Sequence, residues 1–515
     1  MTCSILRMSV ASFLYFTYSV VALTNSGAIE FGNANPLTKQ VCSKINKILP
    51  GRITFEGSRE YRIENKDYWS IALSELKPAC IALPTSAQEV SIIINAINDY
   101  PGAKFVVKSG GHSPNPGQAS CSDCVLIAMK NMKGTVNDPA RGVAYVQPGG
   151  TWSSVITPLV KQGVTVVGGR LGLVGIGGYL TQGGLSFLSA QYGMAGDSIV
   201  EMETVLPNGT IANINAQNNP DVLVAMRGSG DQFGIVTRFT LKTYKIDKVW
   251  GGYRIFTGMS QRAAINTAFH DFIQDNEKDP KAAIICNHEQ AAGGRFFMVF
   301  FFYDGEEPPE GAFGKFEDIK ATVDFTATRG YDELLNFNAR GADMLGARTS
   351  FRSITLPRVP SAPDFYSRIQ ASWENITAEY VTSHHTSVLT IAQQAFPAVI
   401  GKKSAALGGN AMGLTANDSH RFILEITCLW KDDDEDGLIY AMSKQLTDSI
   451  EGMLKQMRVQ DIQGIERYNP YFANDATFDQ DVLGSYKDAQ KFKALQRAVD
   501  PQGLFAKHAG GFKYL

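Results

Sequence analysis

Apolar residues along this chain recur in two periods, and the period changes from segment to segment. Short apolar runs bounded by turn residues predict strands at CIALP (80–84), 104–107, VLIAM (125–129) and GVAYVQPG (142–149). Between the first two, Ser86-Ala87-Gln88-Glu89 reads as a capping box opening a helix through Asn98, with Ile92, Ile93 and Ala96 on one face. A second helix is expected over Trp152–Gln162. SIVEMETVLPNGTIANIN (198–215) predicts two strands joined at an Asn208–Gly209 hairpin turn, and 221–230 predicts a short helix ending in glycine. An apolar strand over 233–246 closes this part.

Beyond about residue 250 glycine thins out and aromatic residues thicken, as in GRFFMVFFFYDG (294–305). Strands such as RFILEITCLW (421–430) alternate with longer helices, which predicts an antiparallel sheet covered by helices. The fold class expected is α+β. The domain reading is a leader at 1–23, a loop-rich segment at 24–75, a glycine-punctuated domain at 76–247, a second domain at 248–464 and a tail at 465–515.

Composition narrows the function. With 48 basic and 50 acidic residues the formal net charge is −2, which offers neither a nucleic-acid footprint nor a polybasic membrane patch. Arg7 followed by the apolar run Ser9–Leu23 has the form of a secretory signal, short for a bilayer span. Export agrees with three glycosylation acceptors, at Asn208, Asn375 and Asn417, and with Cys42 and Cys80 as a structural disulfide. Cys121 and Cys124 read as a local disulfide or free thiols, and Cys286 and Cys428 as buried thiols or a pair. A lone Cys-x-x-Cys lacks a second ligand pair, so no metal site is expected.

Two glycine-rich loops carry the candidate chemistry. KSGGHSPNPGQAS (108–120) follows a strand and holds His112, one of only seven histidines. The second runs from Val166 to Gly193. Bare backbone N–H groups of such loops can approach pyrophosphate oxygens that side chains would screen. The dinucleotide fingerprint for NAD is not met, because Leu180 stands where the third glycine after Gly175 and Gly177 belongs. Read from the residues alone, His112 is as well a turn residue as a functional one, and it lacks partners for a metal.

Taken in order, KSGGHS with PNPGQAS, VQPGGTW, VGIGGYLTQGGLSFLSAQYG, VLPNGTI and MRGSGDQFGIVTRF resemble the FAD-binding domain of the vanillyl-alcohol-oxidase (PCMH-type) superfamily. The berberine-bridge-enzyme-like branch, especially its secreted fungal members, is the nearest in pattern. FANDATFDQDVLGSY, VDPQGLF and GGFKYL resemble that branch's returning tail. The resemblance implies a PCMH-type FAD-binding domain beside a substrate domain, with His112 bonded to the flavin 8α-methyl. Lys108, Ser109, Gly110, Gly111 and Ser113 would line the pyrophosphate loop. Gly175, Gly177, Gly178, Gly183 and Gly184 would pack along the dinucleotide, joined by Asn474 from the tail. Doubly linked relatives carry a cysteine just before the second loop; here Gly169-Arg170-Leu171-Gly172 has none, so a single link is implied.

The implied reaction is hydride transfer from a small organic substrate to FAD, with reoxidation by dioxygen to hydrogen peroxide in a monomeric secreted enzyme. Tyr468 and Tyr471 lie where relatives place a base, although core or rim packing explains them equally. His288, Tyr303 and His384 are further pocket candidates. Oxidative cyclisation and carbohydrate oxidation are the competing activities, the second disfavoured by the absent cysteine; a flavin-storing protein is the non-enzyme alternative.

Overall fold

A computed structural model describes residues 36–291, 294–342, 346–383, 388–457 and 468–515; the expected leader at 1–23 and His384 lie outside them. Within the segment expected to be loop-rich, the described residues open with a helix, Pro36–Ile48. Thr38, Val41, Cys42 and Ile45 are its buried residues, at the three- and four-residue steps of one helix face. That face is polar enough in sequence to hide the period. Cys42 is bonded to Cys80 with Cα atoms 6.0 Å apart, tying the helix to the first strand of the next unit.

Four strands form the first sheet in the order Ile53–Thr54, Cys80–Ala82, Val125–Ala128, Phe105–Lys108. Both pairings of the Val125–Ala128 strand are parallel. The helix Ala87–Asn98 crosses over, burying Val90, Ile93, Ile94, Ala96 and Ile97. The buried stripe is therefore turned from the expected one, and Ile92 is only half-buried. Ser86 Oγ accepts from Glu89 N, but the Glu89 carboxylate serves Thr85 N and Arg52 instead of the Ser86 amide. Only half of the capping box forms.

A five-stranded antiparallel sheet follows, in the order Thr135–Asp138, Val143–Val146, Ile235–Lys242, Ile199–Val205, Ile211–Asn215. Its hairpin turns at Asn208–Gly209, where Gly209 takes the positive φ of 79° and Leu206 N donates to Thr210 O at 2.9 Å. The helix Trp152–Val160 ends two residues before Gln162, where the chain turns through Gly163 at φ 71°.

The second domain is built on an antiparallel sheet whose long strands run in the order Val249–Phe256, Gly294–Tyr303, Ala282–Ala291, Val388–Phe396, Arg421–Trp430, Arg348–Pro357. Short strands at Val323–Asp324 and Ala327–Arg329 flank the first. Burial alternates strictly along Ala282–Ala291. One face packs against the helices Arg262–Asp275, Phe365–Ser383 and Asp436–Lys455, and it holds Cys286 and Cys428 as separate buried thiols, both pushed upward in pKa by burial. Direct cross-strand partners share a face, so Thr427 and Phe351 project together from the other one, as does Glu425 two residues along.

The tail returns to the first sheet. Phe105 N donates to His508 O and Gly510 N to Phe105 O, both at 3.0 Å. Asn115 donates to Ala476 O at 2.8 Å and accepts from Phe478 N.

Candidate active site

The two glycine loops meet backbone to backbone. A Cβ on Gly110 would lie 2.5 Å from Gly175 Cα, a distance no side chain tolerates. Ser109 pins the junction, its hydroxyl donating to Pro148 O at 2.5 Å and accepting from Gly177 N at 3.0 Å. Three separate sequence blocks are thus fixed by one serine. Asn474 adds the tail: its side-chain oxygen accepts from Gly184 N at 2.9 Å and its amide donates to Tyr179 O at 3.1 Å.

Around this junction runs a cavity lined by Ser109–Ser113, Pro148, Arg170, Gly175, Gly177, Gly178, Gly228–Asp231, Asn474, Asp475 and Gly511, with Phe351 and Glu425 from the second domain. Gly178 and Gly230 have no atom within 4 Å of where a Cβ would stand, so bare backbone faces open space there. Gly183 and Gly184, at φ 105° and 70°, shape the turn that Asn474 holds and are not in the wall. Lys108 does not line the cavity either. It is buried and paired with Glu64 at 2.9 Å, above the Tyr68 ring at 4.0 Å. The resemblance implied that Lys108 lines the pyrophosphate loop; its carboxylate partner lies far back in the chain and left no local signal.

His112 faces the cavity with its ring stacked on Trp69, centroids 4.5 Å apart and planes 8° from parallel. Trp69 also packs on Phe351 at 4.8 Å. Burial in the protein disfavours the imidazolium and lowers its pKa to about 4, so the imidazole is neutral at physiological pH with a nitrogen lone pair free to react. Ser113 donates to Gln118 at 2.7 Å and stiffens the loop behind it.

Across the cavity wall stand two carboxyl groups that were not singled out from the sequence. Glu425 comes from the strand Arg421–Trp430 and Asp475 from the turn Ala473–Asp475 of the tail. Gln394 Nε2 donates to both, at 3.1 Å to Glu425 and 2.7 Å to Asp475, and Thr427 donates to Glu425 at 2.6 Å. Burial, then the neighbouring Asp475 charge, pushes Glu425 up to about 8, against the opposing pull of Thr427 and Arg170. Asp475 is also raised, by burial. Two neighbouring buried carboxyls disfavour each other's ionisation, which keeps a proton on the pair toward higher pH than either group alone would hold it. Glu425 had one legible signal: it is the single acid inside an otherwise apolar strand.

The tyrosines expected as bases make other bonds. Tyr468 OH donates to Met412 O and accepts from Lys487 N at 2.9 Å. Tyr471 OH approaches Glu451 at 3.5 Å, and neither ring lines the cavity. His288 is buried on the helix-covered face, stacked on Phe297 at 4.5 Å, and Tyr303 belongs to the same core. Among the described residues no cluster of three or more His, Cys, Asp or Glu can hold a metal, and no helix is long and apolar enough to cross a membrane.

The cavity is walled by the backbone of both glycine loops, with a neutral imidazole and a pair of buried carboxyls on its sides, features that suit a flat, phosphate-bearing cofactor. Residues 78–215 match the FAD binding domain family. The chain belongs to the FAD-linked oxidoreductases: it is 32% identical over 504 residues to an FAD-linked oxidoreductase of Arthroderma benhamiae, covering 96% of this chain and 98% of that one. It is 30% identical over 464 residues to the FAD-dependent monooxygenase FUP4 of Fusarium proliferatum, covering 86% of each. Among solved structures, Physcomitrella patens BBE-like 1 shares the fold, with a TM-score of 0.70 at 18% identity over 90% of this chain and 97% of that one. The chain is thus an FAD-dependent oxidoreductase of the berberine-bridge-like fold.

Proposed function

We propose that this protein is a secreted FAD-dependent oxidase that takes a hydride from a small organic substrate and delivers the electrons to dioxygen as hydrogen peroxide. The observation that carries the reading is the Glu425–Asp475 pair in the wall of the cavity that also holds His112 and both glycine loops. Bound FAD supplies a two-electron acceptor with a flat ring. The glycine loops bind it through backbone N–H groups, with Gly178 and Gly230 presenting no side chain to obstruct it. His112 is the expected single covalent anchor, and its neutral imidazole supports that role.

The acid pair takes the proton that accompanies the hydride. Holding one proton at neutral pH leaves one of the two carboxyls ionised, so a substrate hydroxyl or amine proton has a place to go. Gln394 fixes both carboxyls, and Arg170 in the cavity wall tempers the rise in their pKa values. Exposure of Asn208, Asn375 and Asn417 supports glycosylation on an exported chain.

The name of the Fusarium proliferatum relative, a monooxygenase, favours a second reading in which an oxygen atom enters the product. One experiment separates them. The purified yellow protein is reduced anaerobically by a panel of alcohols, amines and phenols, and labelled dioxygen is then admitted. Colour returning with stoichiometric labelled peroxide supports the oxidase; label in the organic product supports the monooxygenase. Under the oxidase reading Glu425→Gln slows anaerobic bleaching by about a hundredfold or more, and an unchanged rate overturns the assignment of the pair.

A further inference from the structure

The segment Asp67–Ser70 is laid along the first glycine loop like a splint. Trp69 N donates to Gly111 O at 3.1 Å. A Cβ on Gly111 would stand 2.8 Å from Asp67 O, and Gly111 itself has φ 67°. The loop glycine next to His112 is therefore required by this contact. The Tyr68 ring covers Lys108 Nζ at 4.0 Å. Beyond Trp69 the segment is fastened to the second domain, with Thr349 N donating to Ser70 Oγ and Ile71 N to Ala347 O, both at 3.0 Å. Its one aromatic ring aimed at the site lies flat on His112, 8° from parallel, and touches Phe351 on its other contact.

An imidazole on a glycine loop has two free torsions, and the broad torsion of its ring plane is the weakly held one. Stacking on Trp69 removes that freedom. We propose that Trp69 is a positioning residue for flavin attachment, holding the His112 ring in the plane from which its nitrogen reaches the flavin 8α carbon; this rests on the covalent reading of His112. Attachment forms one N–C bond. The imidazole N–H hydrogen and one methyl hydrogen leave with two electrons, which dioxygen takes up as hydrogen peroxide. Orientation is what such a step lacks most, because the two reacting atoms are already confined in one cavity.

The test compares covalent with total flavin in the full-length protein. Wild type, Trp69→Leu and Trp69→Phe are purified, bound FAD is measured by absorbance in the native state, and intact mass is taken after acid denaturation. Wild type and Trp69→Phe, which keeps a stacking ring, are expected to hold their flavin through acid. Trp69→Leu is expected to bind FAD but carry it covalently on roughly a tenth as many chains. Where Trp69→Leu does not fold, Trp69→Met fills the same space without a flat ring and has the same two outcomes. Full covalent loading of the Leu or Met variant overturns this inference alone. Flavin released by acid from the wild type overturns the covalent reading, and this inference with it.

Discussion

Gly175 stands so close to Gly110 that a Cβ on it would lie 2.3 Å from the Gly110 nitrogen. Residues far apart in the chain are thereby required to be glycine by each other, independently of any ligand. Gly175→Ala forces two backbones apart in the wall of the cavity that both glycine loops line. The expected cost is about 3 kcal/mol or more in unfolding free energy, together with loss of the yellow colour. Urea unfolding and flavin absorbance of the purified variant check both. By contrast Gly178→Ala, with open space at its Cβ position, is expected to leave stability within about 1 kcal/mol while weakening FAD binding.

His112→Ala removes the proposed anchor without touching the glycine junction. The variant is expected to bind FAD through the loops and to release all of it on acid precipitation, whereas the wild-type polypeptide stays yellow. Because Gly169-Arg170-Leu171-Gly172 offers no thiol beside the second loop, no residual covalent flavin is expected. Mass spectrometry of the denatured chains reads the result directly.

The family and the fold were legible in the sequence because backbone demands are recorded in residue type. Gly110 and Gly175 are glycine because each leaves no room for a Cβ on the other, and ordered glycine blocks identify the fold. The two carboxyls proposed as the acid–base pair were not legible, because what sets them apart comes from neighbours that only the tertiary fold supplies. Glu425 needs Asp475 from the tail and Gln394 from the adjoining strand; alone it is one acid in a strand. Tyr468 and Tyr471 lay near the right place in the chain, yet their hydroxyls turn toward Met412, Lys487 and Glu451. Trp69 carries no motif, since its partner His112 is reached only after the chain folds back. The N-terminal helix was hidden for a simpler reason: its buried stripe includes Thr38 and Cys42 among lysines, which blurs the apolar period.

The two disulfides are expected to differ in what they contribute. Cys42–Cys80 closes a separation of 38 residues and fastens the first helix to the sheet. Replacing both cysteines with serine is expected to cost about 2–4 kcal/mol by the chain-entropy account. Cys121–Cys124 closes a separation of 3 and constrains the unfolded chain far less. Thermal unfolding of the two double variants, with and without reductant, tests the order. Equal losses would contradict it.

The last prediction concerns pH and follows from the acid pair. Glu425 has its folded pKa raised to about 8, above the ordinary glutamate value near 4.3 in an unfolded chain. Between those two values the folded protein binds more protons than the unfolded one. The contribution of Glu425 to stability is therefore fully present below about pH 4.3 and is lost as pH rises through about 8. Glu425→Gln cannot ionise and escapes that loss. Relative to the wild type, Glu425→Gln is expected to gain Tm as pH is raised from 5 toward 9, by a few degrees. Activity should move the other way: the wild-type rate of anaerobic flavin reduction falls on the acid side as the pair takes up its second proton, and the Gln variant is slow throughout. A Tm difference that stays constant across this range would show that Glu425 titrates as an ordinary surface carboxylate, and the proton-sharing pair would have to be abandoned.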